Sequence, residues 1–116
     1  MALHKIGIDF DGVIHKYSMG WKDGSIYDDA IDGALETILK LSSKYEVYIF
    51  TTRAREELNQ IGMIKDWLTN QAGAKELDPM FFMNLIITDK KLPAIAYIDD
   101  RGIRFTNWMD IKKYFL

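Results

Sequence analysis

The sequence predicts an α/β fold, a mainly parallel sheet with helices on both faces, and three observations carry that expectation. Short β-branched and aromatic runs alternate along the chain with longer stretches whose apolar residues recur at helical spacing. Acidic or hydroxyl residues follow directly after several of those runs, where parallel sheets place their ligand sites. The chain of 116 residues, 48% hydrophobic and 28% charged, has the balance of one ordinary globular domain. It contains no repeat, low-complexity tract or linker-like run at which to divide it.

The elements follow in order. Ile6, Ile8 and Phe10 mark a first buried strand that delivers Asp9 and Asp11 into a turn at Gly12. Residues 15–29 combine two glycines with polar and aromatic groups, which suits a projecting flap or short hairpin turning at Asp23-Gly24. From Ala30 to Ser42, the stripe Ile31, Ala34, Leu35, Ile38 and Leu39 predicts a helix. Glu46-Val-Tyr-Ile-Phe50 reads as a second strand, ending in Thr51-Thr52-Arg53. Leu58, Ile61, Ile64 and Leu68 predict a second helix from about Ala54 to Gln71, with Gly73 as its terminator. Phe82–Thr88 is the third strand candidate and Ala94–Ile98 the fourth, running into Asp99-Asp100. A last helix from about Thr106 turns Trp108, Ile111 and Phe115 inward.

Composition excludes several chemistries. With no cysteine, disulfides, thiolate catalysis and Cys-based zinc sites are ruled out, so any metal takes oxygen or imidazole ligands. Asp9 and Asp11 interrupt the N-terminal apolar stretch, and without a leader pattern the expected compartment is the cytoplasm. The longest apolar runs are strand-sized, so no membrane partner is expected. A formal net charge of −2 gives no global attraction for nucleic acid, although a local basic patch stays open; oligomeric state is not set.

Asp9 and Asp11 lie on the same side of the emerging chain. Two ionised carboxylates about 4 Å apart repel by roughly 4 kcal/mol at an effective dielectric near 20, so a proton or a cation belongs between them. With Asp99 and Asp100 they supply hard oxygen ligands that favour Mg²⁺. Amides around Phe10, Asp11 and Gly12, the hydroxyls of Thr51 or Thr52, and the ammonium of Lys90 or Lys91 would complement a metal-bound phosphate. A carboxylate can attack phosphorus directly, a route that needs no serine or cysteine.

Four segments, Asp9-Phe-Asp11-Gly12-Val13, Ile49-Phe50-Thr51, Lys90-Lys91 and Tyr97-Ile98-Asp99-Asp100, resemble in order and separation the four motifs of the haloacid dehalogenase-like superfamily. The resemblance runs from residue 5 to about 105. It implies a Rossmann-like domain without a separate cap and a Mg²⁺-dependent phosphatase acting on a phosphorylated substrate of unspecified size. On that resemblance Asp9 is the nucleophile, Asp11 the general acid/base and Thr51 the phosphate-binding hydroxyl, with Thr52 left as a helix cap. Lys91, next to Leu92-Pro93, is the preferred lysine. Asp9, Asp11, Asp99 and Asp100 form the implied metal set, Asp100 as the more direct ligand and Asp99 orienting the lysine or a metal-bound water. The carbonyl of Asp11 would face the metal and its carboxylate would remain available for proton transfer. The rivals are a phosphotransferase with an alcohol acceptor and a non-catalytic metal- or phosphate-dependent binding module.

Blander readings stand beside these. Arg53 and Arg101 suit salt bridges to the crowded carboxylates as well as they suit phosphate, and stay outside the catalytic set. His4 and His15 lie at no metal-binding spacing and receive no chemistry. Tyr17 and Trp21 read as anchors of the flap as readily as a stacking platform, and Met80-Phe81-Phe82-Met83 as core or a dimer contact.

Overall fold

The computed structural model describes residues 3–99 and 103–116, without the side chains of 103 and 104. The elements are β1 (Lys5–Asp9), α1 (Ala34–Leu41), β2 (Glu46–Phe50), a 3₁₀ turn (Thr52–Ala54), α2 (Ile61–Ala74), α3 (Pro79–Met83), β3 (Ile86–Thr88), β4 (Ala96–Asp99), β5 (Ile103–Arg104) and α4 (Trp108–Phe115). The strands form one parallel sheet in the order β3-β2-β1-β4-β5. The chain moves outward from β1 to β3 and then returns to the other side of β1. The topological switch point therefore lies between β1 and β4.

Register separates the two faces of the sheet. Ile8 lies beside Ile49 and Ile98, and Ile49 beside Ile87, so these residues share a face with Ile6 and Val47. All six are buried, in one cluster with Leu35 and Ile38 of α1, Ile64 and Leu68 of α2, Phe82 of α3, and Trp108 and Ile111 of α4. Every described helix thus contributes to the core on this face. The opposite face carries Gly7, Tyr48, Ile86 and Tyr97 in register, together with the exposed Lys5–Glu46 ion pair at 3.3 Å. Ile86 is 48% exposed there. The expected helices on both faces are therefore corrected to helices on one, and chain length explains it. To pass from β3 to β4 the chain crosses three strand spacings of about 4.8 Å and also returns to the amino end of the sheet. Residues 89–95 reach at most roughly 24 Å when extended, which leaves no slack to wind a helix.

Other boundaries shift for local reasons. Gly33, in the left-handed region at φ 82°, precedes α1, while Ala30 and Ile31 are held back by the stem of the flap, where Ile31 N–H donates to Ile14 O at 2.8 Å. Residues after Ala54 do not continue into α2. The Gln60 N–H bonds back to Arg53 O at 3.1 Å and Asn59 takes φ 50°, so α2 starts at Ile61 and Leu58 is exposed. Gly73 lies inside α2, and Glu76 at φ 60° marks the chain's exit from it. In the third strand segment, Asp78 caps Met80 N–H at 3.0 Å and Pro79 opens the short helix α3, leaving only Ile86–Thr88 extended. Within the Met80–Met83 run Phe82 is core, whereas Met80 and Met83 are exposed. The two-residue strand β5 was not foreseen.

The segment 15–29 is a closed loop rather than a hairpin. Its stem is the His15–Ala30 bridge with Lys16 N–H donating to Asp29 O at 3.1 Å. Tyr27 Oη donates to Gly20 O and accepts from Met19 N–H, both at 2.7 Å, so the loop is packed by its own side chains. No described helix is long and apolar enough to cross a membrane.

Candidate functional site

Asp9 ends β1, Asp99 ends β4, and Thr51 directly follows β2. Three motif residues separated by most of the sequence thus meet at the carboxyl edge of adjacent strands. Because Ile8 pairs with Ile98, Asp9 and Asp99 flank the switch point on neighbouring strands. They share a sheet face with Gly7, Phe50 and Tyr97. Asp9 Oδ1 accepts Phe10 N–H at 2.7 Å.

Lys91, not Lys90, reaches this edge. Its ammonium lies 3.2 Å from Asp99 Oδ2, 4.5 Å from the centre of the Tyr97 ring and 5.2 Å from that of Phe50. Phe50 flanks β1 on one side and Tyr97 on the other, so the ammonium hangs over the end of β1 on the face that Asp9 shares. Lys90 instead donates its backbone N–H to Thr88 Oγ1 at 3.1 Å, and its side chain is exposed.

Thr51 is buried, and its N–H donates to Thr88 O at 2.9 Å. Its hydroxyl accepts Arg53 N–H at 3.2 Å and caps the 3₁₀ turn, so Thr51 and not Thr52 is the cap. That contact uses an acceptor lone pair and leaves the hydroxyl hydrogen to donate.

Asp11 is held differently from the expectation that its carboxylate stays available. Oδ1 accepts from His15 Nδ1 at 2.9 Å and Oδ2 from Arg53 Nε at 2.8 Å. Burial pushes the carboxyl up, but the hydrogen bonds from His15 and Arg53, and then the charge of Arg53, outweigh it and hold Asp11 below the usual 3.8. His15 is fully buried, and its Nε2 accepts Asp28 N–H at 3.1 Å. A ring nitrogen that accepts carries no hydrogen, so Nδ1–H is the donor to Asp11. Arg53 is also fully buried. Its Nη1 donates to Gly24 O at 2.6 Å and Gln60 Oε1 at 2.8 Å, Nη2 has no hydrogen-bond partner among the described residues, and the guanidinium packs 4.6 Å from the Trp21 ring. These two donors tie Asp11 to the flap: His15 reaches Asp28 in it, and Arg53 reaches Gly24 and Trp21.

The tight loop after β1 is closed by Val13, Ile14 and His15 N–H groups that converge on Phe10 O, with Gly12 at φ 80°. Of the amides expected to face an anion, Phe10 N–H is taken by Asp9 and Gly12 N–H donates to His15 O at 2.8 Å.

No family model, curated protein or solved structure matches this chain.

The donor set fits a hard cation in kind and only partly in number. Among the described residues no three His, Asp or Glu side chains gather as a metal site. Asp9 brings a carboxylate to the strand tip, where Oδ1 accepts Phe10 N–H, and Asp11 its backbone carbonyl; the Asp11 carboxylate is engaged by His15 and Arg53, and Asp99 pairs with Lys91. Asp100 and Arg101 lie outside the described residues. The salt bridge to a crowded carboxylate that the sequence offered for Arg53 is present, made to Asp11, whereas the part of His15 was not expected. The signals were spacing, His15 falling four residues after Asp11 across a glycine turn, and Arg53 two residues after Thr51.

Proposed function

We propose that this chain is a phosphohydrolase of the haloacid dehalogenase-like type that cleaves a phosphate monoester with Mg²⁺. The observation that carries the reading is the meeting of Asp9, Asp99 and Lys91 on one face at the switch point, with Thr51 at the end of the next strand. A carboxylate there is well placed to act as nucleophile, and an ammonium above it offsets the charge of an incoming phosphate.

In this reading an Asp9 carboxylate oxygen attacks phosphorus, an Asp9–phosphate bond forms and the ester P–O bond breaks; Asp11, ionised between His15 and Arg53 at rest, first releases one donor and takes up a proton from solvent, which it then gives to the departing oxygen. Water then attacks the phosphorus of the aspartyl-phosphate, passes its proton back to Asp11 and releases inorganic phosphate and the Asp9 carboxylate. His15 and Arg53 orient Asp11, and Thr51 Oγ1–H donates to a phosphate oxygen. Asp9, the Asp11 carbonyl and Asp100 would hold Mg²⁺, with Asp99 keeping Lys91 in place. When bound, the ion polarises the phosphoryl oxygens and screens them from Asp9.

Hydrolysis of a panel of nucleotides, sugar phosphates, phosphopeptides and phosphate-ended oligonucleotides, with Mg²⁺ or with excess EDTA, tests the reading. Metal-dependent phosphate release that disappears in Asp9→Asn supports it. A second reading, a phosphate- or metal-dependent binding module, is favoured by the double engagement of the Asp11 carboxylate. Silence across the panel from a folded sample that binds phosphate analogues would select it.

A further inference from the structure

We propose that Tyr48 and Tyr97 are positioning residues that set the place of Lys91 by jointly holding the carbonyl of Leu92, and that Gly7 lacks a side chain so that the two phenols can do so. The inference rests on the reading of Lys91 as the phosphate-facing cation.

The extended crossover at residues 89–95 carries Lys91 over the sheet face that no described helix covers. An extended strap outside the sheet ladder must find hydrogen-bond partners elsewhere. At its far end Ile95 N–H donates to Lys5 O at 3.0 Å. In its middle the Leu92 carbonyl accepts two bonds, from Tyr48 Oη at 3.0 Å and from Tyr97 Oη at 2.5 Å. A carbonyl has two lone pairs, so both are used.

Tyr48 of β2 and Tyr97 of β4 stand beside Gly7 of β1 from opposite sides in strict register. Their rings lean over β1. A Cβ on Gly7 would lie 2.6 Å from Tyr48 Oη, 2.8 Å from Tyr48 Cζ and 2.9 Å from Tyr97 Cδ1. Any side chain at position 7 would push the phenols off the carbonyl. Tyr97 acts twice, since its hydroxyl holds residue 92 while its ring carries the ammonium of residue 91. The ammonium then points at Asp99, two residues along from Tyr97. One strand thus fixes the backbone beside the lysine and the direction of its side chain.

The test uses the full chain with Tyr48→Phe, Tyr97→Phe and the double variant, which keep the rings and remove the hydroxyls. Its first arm needs no catalysis: lysines are acetylated with limiting acetic anhydride, and the ratio of Lys91 to Lys90 labelling is read by peptide mass spectrometry. The ratio should rise about fivefold, the factor to which the loss of one ordinary hydrogen bond corresponds. An unchanged ratio in folded variants overturns the inference, and the single variants carry the arm if the double variant does not fold. The second arm compares kcat/KM on a substrate found by the panel, with and without Lys91→Met. Removal of either hydroxyl should lower kcat/KM about fivefold in the native background and leave Lys91→Met unaffected. An equal loss in both backgrounds would mark a merely structural role and overturn the proposal. A chain that hydrolyses nothing removes the phosphatase reading, while the labelling ratio still decides whether the phenols place Lys91.

Discussion

Arg53→Met removes the group on which Asp11 and the flap both depend. The native guanidinium makes one charge-assisted bond to Asp11 Oδ2, at 2.8 Å, and two bonds from Nη1 to Gly24 O and Gln60 Oε1. A bond between charged groups contributes about 1.5–3 kcal/mol and the other two roughly 1 kcal/mol each, while methionine retains part of the packing against Phe10 and Trp21. The net loss should be about 3 kcal/mol, at the lower end of what breaking a buried ion pair costs. For a domain of this size that lowers Tm by roughly 12 °C. Acidity gives a second reading of the same interaction. Because the folded chain holds Asp11 below 3.8, the stabilisation is complete above that value and is lost as the pH falls through the folded value. The gap in stability between native protein and variant should therefore be widest near neutrality and narrow in acid below pH 3.8. Urea titrations at several pH values measure the gap, and limited proteolysis should cut the variant faster within residues 16–29. A loss under about 1 kcal/mol, or a gap that widens in acid, would refute the argument that Arg53 locks Asp11.

Gly7→Ala should destabilise the chain by about 1–3 kcal/mol through overpacking against Tyr48 and Tyr97, read as a lower urea midpoint; an unchanged midpoint would deny the close approach. Burial, with Tyr97 nearby, pushes the Tyr48 phenol from 10.0 up to about 12. A folded-state value above the unfolded one means stability present below pH 10 and lost as the pH rises toward 12, so alkaline unfolding should be shallower in Tyr48→Phe than in the native chain. Asn107→Ala removes the cap that accepts Asp110 N–H at 2.9 Å and should cost about 1 kcal/mol by thermal melting.

How much of this was legible in the sequence depends on how local the determinant is. The cores of β1 and β2 and the apolar stripes of α1 and α4 could be read because β-branched runs and helical spacing are local signals. The strand-end positions of Asp9 and Thr51 followed from those strands, and that of Asp99 from the Ala94–Ile98 run. The start of α2 was not legible, because Leu58 continues its apolar period while Arg53 and Gln60 draw the intervening chain into a loop. The one-sided sheet was not legible either, since it follows from the length of a crossover whose end points only the strand order defines. His15 looked inert as an isolated histidine. Its role emerges only when the flap stem brings Asp28 to one ring nitrogen and Asp11 to the other. The need for Gly7 was not legible, since its reason lies in two tyrosines from other strands.

Acid-quenched mass spectrometry of the chain mixed with Mg²⁺ and a turned-over phosphoester tests the central claim most directly. The account expects one phosphoryl group on the peptide that contains Asp9, absent in Asp9→Asn and absent when EDTA replaces Mg²⁺. Undiminished turnover by Asp9→Asn, or a phosphoryl group trapped on another residue, would contradict it.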